Sequence, residues 1–245
     1  ERKNIEINSD NEAQSIAKIL RTSEYEVDSI NTRPTTRRPS PAFITSTLQQ
    51  EAFRKLRFTA RRTMSVAQQL YEGIDVDSEG SSGLITYMRT DSINMSSYAI
   101  NEARDVITEK YGSDHIPEKP KFYKTKVKGA QEAHEAIRPT SFSRLPESVK
   151  ANLTSDQYRL YDLIWKRAVA SQMSDAKFQQ TSVDIHTKNS ASDVRYLLRT
   201  SGSIMTFDGF LKIYTEGKDE PSSDSDDGRL IPNLSEGQSL IASEI

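Results

Sequence analysis

Two-residue alternation of apolar and polar side chains marks both ends of this chain, and helical periodicity fills the middle. That order constrains the fold more than any other feature. A strand leaves a row of backbone donors and acceptors unpaired until a neighbour joins it. Strands from the two ends are therefore expected to share a sheet, with the helical middle inserted between them. The fold class expected is α+β, a mostly β domain built from both ends of the chain with a mainly helical, tyrosine-bearing domain inserted. The boundaries expected are 1–40 for the first β part, 41–174 for the helical domain and 175–245 for the second β part.

The β runs are "KNIEIN" and "YEVDSINTR" near the start, and "FQQTSVDIHT", "DVRYLLRTSG", "FLKIYTEG" and "SLIASEI" after Met173. Between the first two, Ser9 opens a helix with Glu12 three residues on. "RPTTRRPSP" is Pro-rich and basic and reads as a linker. In the middle, Ser46 with Gln49 and Thr154 with Gln157 are box-type helix starts. A helix from about Ala60 to Tyr71 is expected to bury Met64, Ala67, Leu70 and Tyr71. Another runs from Ser96 to Tyr111, with Ala99, Ile100, Ala103, Val106 and Ile107 on one stripe, and Gly112 ends it. "EGIDVDSEGSSG", residues 72–83, reads as a loop, and "LITY" as a short strand. "KDEPSSDSDDG" reads as a solvated acidic loop.

Composition sets outer limits. The 245 residues suffice for one large domain or two modest ones. A net charge of −2 gives no overall basic excess, so a nucleic-acid surface has to be local. There are no cysteines, which removes disulfides and thiolate metal sites. No apolar run reaches the ~20 residues of a membrane helix. The opening "ERKNIEIN" lacks Met and reads as the start of a piece cut from a longer protein.

The stretch "GLITYMRTDS", Gly83–Ser92, carries the chemistry. A tyrosine after an apolar run is ordinarily a half-buried strand residue. Ionising a free tyrosine, with its pKa of about 10, costs roughly 4 kcal/mol at pH 7. A nucleophilic tyrosine therefore needs a base or a nearby cation. Arg89, two residues after Tyr87, falls on the same side of an extended chain and carries a planar fork suited to phosphate oxygens. One charge pair at ~4 Å is worth roughly 4 kcal/mol at an effective dielectric near 20. Tyr87 with Arg89 therefore points to attack on phosphorus rather than on a carbonyl.

A second cluster, "QEAHEAIRPT", places His134, Glu135 and Arg138 within five residues. His134 is expected to pair with Asp91, which would keep it cationic beside a phosphate. Arg138 before Pro139 equally suits a structural salt bridge. His115 and His186 lack such company.

These two stretches resemble the active-site signatures of type IA DNA topoisomerases. "FITSTLQQEAFRKL", "RRTMSVAQQLYEG" and "LIWKRAVASQM" are similar to bacterial topoisomerase I in the same order. The resemblance implies that Tyr87 attacks a phosphodiester of single-stranded DNA and stays joined to the 5′ phosphate, while Arg89 holds that phosphate. It implies that Asp91 and His134 bind the nucleotide beside the break, with Glu135 and Arg138 as further DNA-binding residues. It implies relaxation of negatively supercoiled DNA without ATP, by a monomeric enzyme working in the bacterial cytoplasm on the nucleoid, with no membrane partner. It also implies magnesium, held by an acidic cluster in an N-terminal domain that has no match here, so no metal ligands are assigned. The β part would be the family's arch domain, and the chain a central fragment that is inactive alone.

Of two rival readings, the residues disfavour the first. Tyrosine recombinases place an HxxR element before a late tyrosine, whereas here Tyr87 comes first and the spacing is His134-x-x-x-Arg138; relaxases need a histidine cluster that three scattered histidines do not supply. A non-catalytic DNA-binding module on a β scaffold would use the basic segments "TRPTTRRP", "RKLRFTARR" and "KPKFYKTKVKG" for phosphate contacts.

Overall fold

The structure, a computed structural model, describes residues 4–77, 80–123, 134–188, 195–217 and 231–242. It is an α+β protein that divides into two units. One takes in Glu1–Thr35, Phe178–Thr206 and Asp224–Ile245, and the other Thr36–Lys177 and Phe207–Ser223.

The first unit holds helix α1 (Asp10–Thr22) and a four-stranded sheet of β1 (Glu24–Arg37), β4 (Ala176–Lys188), β5 (Leu197–Phe207) and β6 (Ser239–Leu240), in the order β5-β4-β1-β6. Strands from the two ends of the chain do meet, since β6 pairs antiparallel with β1 through Tyr25 opposite Leu240. Ser9 caps α1 by accepting the Glu12 N–H at 3.3 Å. Tyr25, Val27 and Val183 form the buried face. "KNIEIN" is not a strand. Ile5 and Ile7 are each 55% exposed, so they find no partner face among the described residues and alternation alone does not make a strand of them. β1 in turn runs through the expected linker as far as Arg37. Arg33 remains paired there, its Nη2 donating to Gln180 Oε1 at 3.2 Å. The acidic stretch "KDEPSSDSDDG" lies outside the described residues.

The second unit is built on α2 (Thr45–Leu56), α3 (Ala60–Glu72), α4 (Ser97–Tyr111), the short α5 (Pro146–Val149) and α6 (Ser155–Ala170). α6 is the hub, packing against each of the others. Leu160, Tyr161, Ile164, Trp165 and Ala168 lie wholly or almost wholly inside. Their polar tips are satisfied, since Trp165 Nε1 donates to Phe142 O at 3.0 Å and Tyr161 Oη to Arg144 O at 2.7 Å. The Thr154–Gln157 box starts α6 as expected, and α4 buries the stripe read from the sequence. α2 begins earlier than the Ser46 signal. Ile44 is its cap residue, and the Thr47 hydroxyl accepts the Ile44 N–H at 3.0 Å. The loop expected at 72–83 holds a small antiparallel hairpin, β2 (Ile74–Asp77) with β3 (Gly80–Ser82).

"FLKIYTEG" is not a strand and does not belong with the sheet, although the sequence places it in the second β part. Gly209–Lys212 is a 3₁₀ turn. Phe210 and Tyr214, four residues apart, are the buried pair, which is a helical spacing rather than a two-residue one. Tyr214 Oη donates to Glu51 Oε2 at 2.7 Å, and its ring meets Phe43 edge-on at 6.4 Å. The Arg167 guanidinium lies 4.9 Å from the Phe43 ring and 5.1 Å from the Tyr214 ring. Gly209 permits the turn, because a Cβ there would sit 2.6 Å from the Ser174 and Asp175 carbonyls. No described helix is long and apolar enough to cross a membrane.

Candidate active site

The segment after β3 runs Leu84-Ile85-Thr86-Tyr87-Met88-Arg89-Thr90-Asp91-Ser92. Past Ile85, side chains alternate between solvent and interior. Tyr87, Arg89 and Asp91 are exposed, while Met88, Thr90 and Ser92 are buried. The three side chains proposed for chemistry are therefore all open to solvent. The segment is not the strand expected of "LITY". It makes one isolated antiparallel bridge, Ile85 with Pro139, and bends at Thr86, Met88 and Arg89.

Three contacts hold it. Leu84 N–H donates to Leu70 O at 2.7 Å, fixing it to the end of α3. Gly83 sits so close to the same helix end that a Cβ would fall 2.7 Å from Tyr71 O. Thr45, the first residue of α2, grips the middle. Its Oγ1 accepts the Thr90 N–H at 2.9 Å and lies 2.9 Å from Met88 O, while its N–H donates to Thr90 O at 3.0 Å. Thr90 and Ser92 then turn the chain by side-chain-to-backbone bonds, Thr90 Oγ1 accepting the Ser92 N–H at 3.0 Å.

The second signature lies alongside the first. Residues 131–133 fall outside the described residues, and from His134 onward the segment threads between two neighbours. Ile137 bridges Phe43 on one side, and Pro139 bridges Ile85 on the other. Thr86 N–H donates to Arg138 O at 2.9 Å, Arg138 N–H donates to Thr86 Oγ1 at 3.0 Å, and the Thr86 hydroxyl donates to Ala136 O at 2.7 Å. Thr140 N–H adds a bond to Leu84 O at 3.0 Å.

This weave brings His134 to Tyr87. The ring centroids are 5.7 Å apart at 38°. Tyr87 is 37% exposed, and its hydroxyl makes no hydrogen bond to any described residue. Arg89 is exposed and forms no ion pair with a described residue. Asp91 and His134 are both exposed, yet no hydrogen bond or ion pair joins them. The expected Asp91–His134 pair is replaced by the contact of His134 with the tyrosine ring.

Arg138 faces inward, and Glu135 is half-buried beside it. Arg138 is 9% exposed. Its Nε donates to Glu135 Oε2 at 2.6 Å and its Nη1 to Pro139 O at 2.8 Å. The other carboxylate oxygen of Glu135 accepts the Ser96 N–H at 3.1 Å, at the cap of α4. The pair thus ties the second signature to the start of α4. It is part of the frame behind the exposed row.

Sequence reasoning missed Tyr71. Helical periodicity places it on the inner face of α3, but the buried set is Thr63, Val66, Ala67 and Leu70. Tyr71 is 40% exposed and meets the Tyr87 ring edge-on, with centroids 5.4 Å apart at 64°. It also missed Thr45 and Thr86, whose roles depend on contacts across 43 and 52 residues of chain. The other two histidines are occupied elsewhere. His115 is buried with Nε2 2.9 Å from Asp208 Oδ1, and His186 lies 3.9 Å from Glu26 and 3.6 Å from Asp28. Among the described residues, no group of three or more His, Cys, Asp or Glu side chains is arranged to hold a metal ion.

The family model described as DNA topoisomerase matches residues 1–245. Over 205 residues the chain is 53% identical to DNA topoisomerase 1 of Xylella fastidiosa, covering 83% of this chain and 24% of that protein. Over 244 residues it is 43% identical to DNA topoisomerase 1 of Rickettsia prowazekii, covering 99% of this chain and 30% of that protein. The solved structure of full-length topoisomerase I from Thermotoga maritima superimposes with a TM-score of 0.74 at 34% identity, over 98% of this chain and 36% of that one. The matched region thus spans 24% to 30% of the length of these sequence relatives. It belongs to the DNA topoisomerase family, as a type IA member of the bacterial topoisomerase I kind.

Proposed function

We propose that this chain carries the nucleophile of an enzyme that relaxes negatively supercoiled DNA by breaking and resealing one strand. The observation that supports this most is the exposed row Tyr87–Arg89–Asp91 on a segment held from behind by Thr45, Thr86 and Arg138, with His134 against the tyrosine ring.

The Tyr87 hydroxyl attacks the phosphorus of a single-stranded DNA phosphodiester. The new bond joins Tyr87 Oη to the 5′ phosphate of one fragment. The bond to the 3′ oxygen of the other fragment breaks, and that oxygen leaves as a hydroxyl with the proton the tyrosine has lost. One phosphodiester replaces another, so resealing is the reverse attack by the 3′ hydroxyl and uses no ATP. Arg89 holds the phosphate oxygens and offsets the charge that grows on them in the transition state. Asp91 and His134 contact the nucleotide beside the break. Glu135 and Arg138 position His134 by fixing the segment that bears it. Passage of the unbroken strand through the gap before resealing changes the linkage of the two strands.

The family implies a magnesium ion. The described residues offer no cluster to bind one, and the steps above use this chain's side chains alone. The partners proposed are single-stranded and negatively supercoiled DNA, met by a monomer in the bacterial cytoplasm at the nucleoid.

The test is relaxation of a negatively supercoiled plasmid by the full-length protein with Tyr87→Phe. Loss of relaxation with DNA binding kept is expected. Relaxation at the wild-type rate would remove Tyr87 from the chemistry. Loss of relaxation with DNA binding intact would eliminate the non-catalytic module reading.

A further inference from the structure

We infer that Tyr71 is a positioning residue for Tyr87: its ring, edge-on to the nucleophile, fixes the direction in which the hydroxyl is presented. The inference rests on the reading of Tyr87 as the nucleophile.

Three observations carry it. First, the two rings are held by backbones locked to each other. Leu84 N–H bonds Leu70 O at 2.7 Å, and Gly83 fits against Tyr71 O with no room for a Cβ. Any relative movement of α3 and the nucleophile segment would break that bond or open that fit. Second, the centroid separation of 5.4 Å and angle of 64° lie in the favoured edge-to-face range. Third, the His134 ring also touches Tyr87, at 5.7 Å and 38°. A tyrosine bounded by two rings loses most of the side-chain freedom that a 37%-exposed residue would otherwise keep. Its hydroxyl has no hydrogen bond to a described residue, so ring contacts are what hold its aim.

Burial does not account for Tyr71. At 40% exposure it fills no core space, and Leu70 and Ala67 already supply the apolar face of α3 there. Its remaining role is the contact with the nucleophile. Because this contact uses the ring face and edge, phenylalanine at the position would serve equally well.

The test uses the full-length protein with Tyr71→Ala and Tyr71→Phe, and Tyr87→Phe as control. The rate of covalent adduct formation is measured in a single turnover on a saturating, end-labelled single-stranded oligonucleotide. Affinity for the same DNA is measured by fluorescence anisotropy with each Tyr71 variant placed in the non-reacting Tyr87→Phe background. Tyr71→Ala is expected to slow adduct formation by about 3- to 10-fold, the worth of one aromatic pair. Affinity and melting temperature are expected to hold, and Tyr71→Phe to react at the wild-type rate. An unchanged rate in Tyr71→Ala overturns the proposal. So does a Tyr71→Phe variant as slow as Tyr71→Ala, which would point to the hydroxyl. A parallel fall in affinity also overturns it, since Tyr71 would then be a platform for a DNA base. Adduct formation by Tyr87→Phe with Tyr71 intact would instead refute the nucleophile reading, independently of any Tyr71 variant.

Discussion

Thr86 and Arg138 exchange two hydrogen bonds across 52 residues of chain: Thr86 N–H donates to Arg138 O at 2.9 Å, and Arg138 N–H donates to the Thr86 hydroxyl at 3.0 Å. The next residue after Thr86 is Tyr87, and His134 lies four residues before Arg138. This one link therefore sets the distance between the two exposed rings. The two signatures work as a single structural element, and its integrity is what the first predictions address.

Replacing Thr86 by Val keeps the shape and removes the hydroxyl. The Arg138 N–H loses its acceptor and Ala136 O its donor, in a half-buried place. A loss of about 1–3 kcal/mol is expected for a buried group left unpaired. Urea denaturation should show a lower midpoint with an unchanged slope, and Thr86→Ser should recover most of the stability.

Arg138 gives a sharper discrimination between frame and contact. Its guanidinium serves Glu135 and its own Pro139 carbonyl from a nearly closed site, its side chain 11% exposed. Arg138→Lys keeps the charge but not the fork. Both Arg138→Lys and Arg138→Ala should lower stability, by about 1.5–3 kcal/mol for the alanine. The salt dependence of DNA binding should stay as in the wild type, because no phosphate contact is lost. A shallower salt slope for Arg138→Ala would place the guanidinium on DNA.

His134 and His186 make a matched pair of controls. His134 is exposed against the Tyr87 ring, whereas His186 lies between Glu26 and Asp28 in the other unit. In the full-length protein, His134→Ala should reduce DNA cleavage or binding well beyond His186→Ala. Equal and negligible effects would detach His134 from the site.

Three tyrosines predict alkaline behaviour. Burial pushes the hydroxyls of Tyr123, Tyr161 and Tyr214 well above the ordinary tyrosine range, with hydrogen bonding to Glu51 adding to the effect at Tyr214. In the unfolded chain these groups lose their protons near pH 10, whereas in the folded chain they keep them. The folded state then holds more protons, so stability falls as pH rises above about 10. Absorbance at 295 nm should show exposed tyrosines ionising first, and these three only together with unfolding.

The sequence made the helices legible where local signals suffice. Thr154 with Gln157, the apolar stripe of α4 and the Ser9 cap all act within four residues, and each is found where its signal lies. The segments that depend on distant partners were not legible. "KNIEIN" has the alternation of a strand and no neighbour to pair with among the described residues. "FLKIYTEG" has it too, but Tyr214 is drawn to Glu51, 163 residues earlier. In the site, Tyr87 and Arg89 were visible as chemistry from their side chains alone. The exposed position of Tyr71 was hidden, because it sits at the boundary of a helical stripe and only the fold decides which way it turns. The inward turn of Arg138 was hidden for the same reason.

The central claim is that the Tyr87 oxygen joins DNA. The most direct measurement is to trap the covalent adduct of the full-length protein with single-stranded oligonucleotides, digest it, and identify the modified residue by mass spectrometry. The account predicts a phosphorylated nucleotide stub on Tyr87, carried through the 5′ phosphate, while the other fragment ends in a free 3′ hydroxyl. A stub on any other residue, or linkage through a 3′ phosphate, would contradict it.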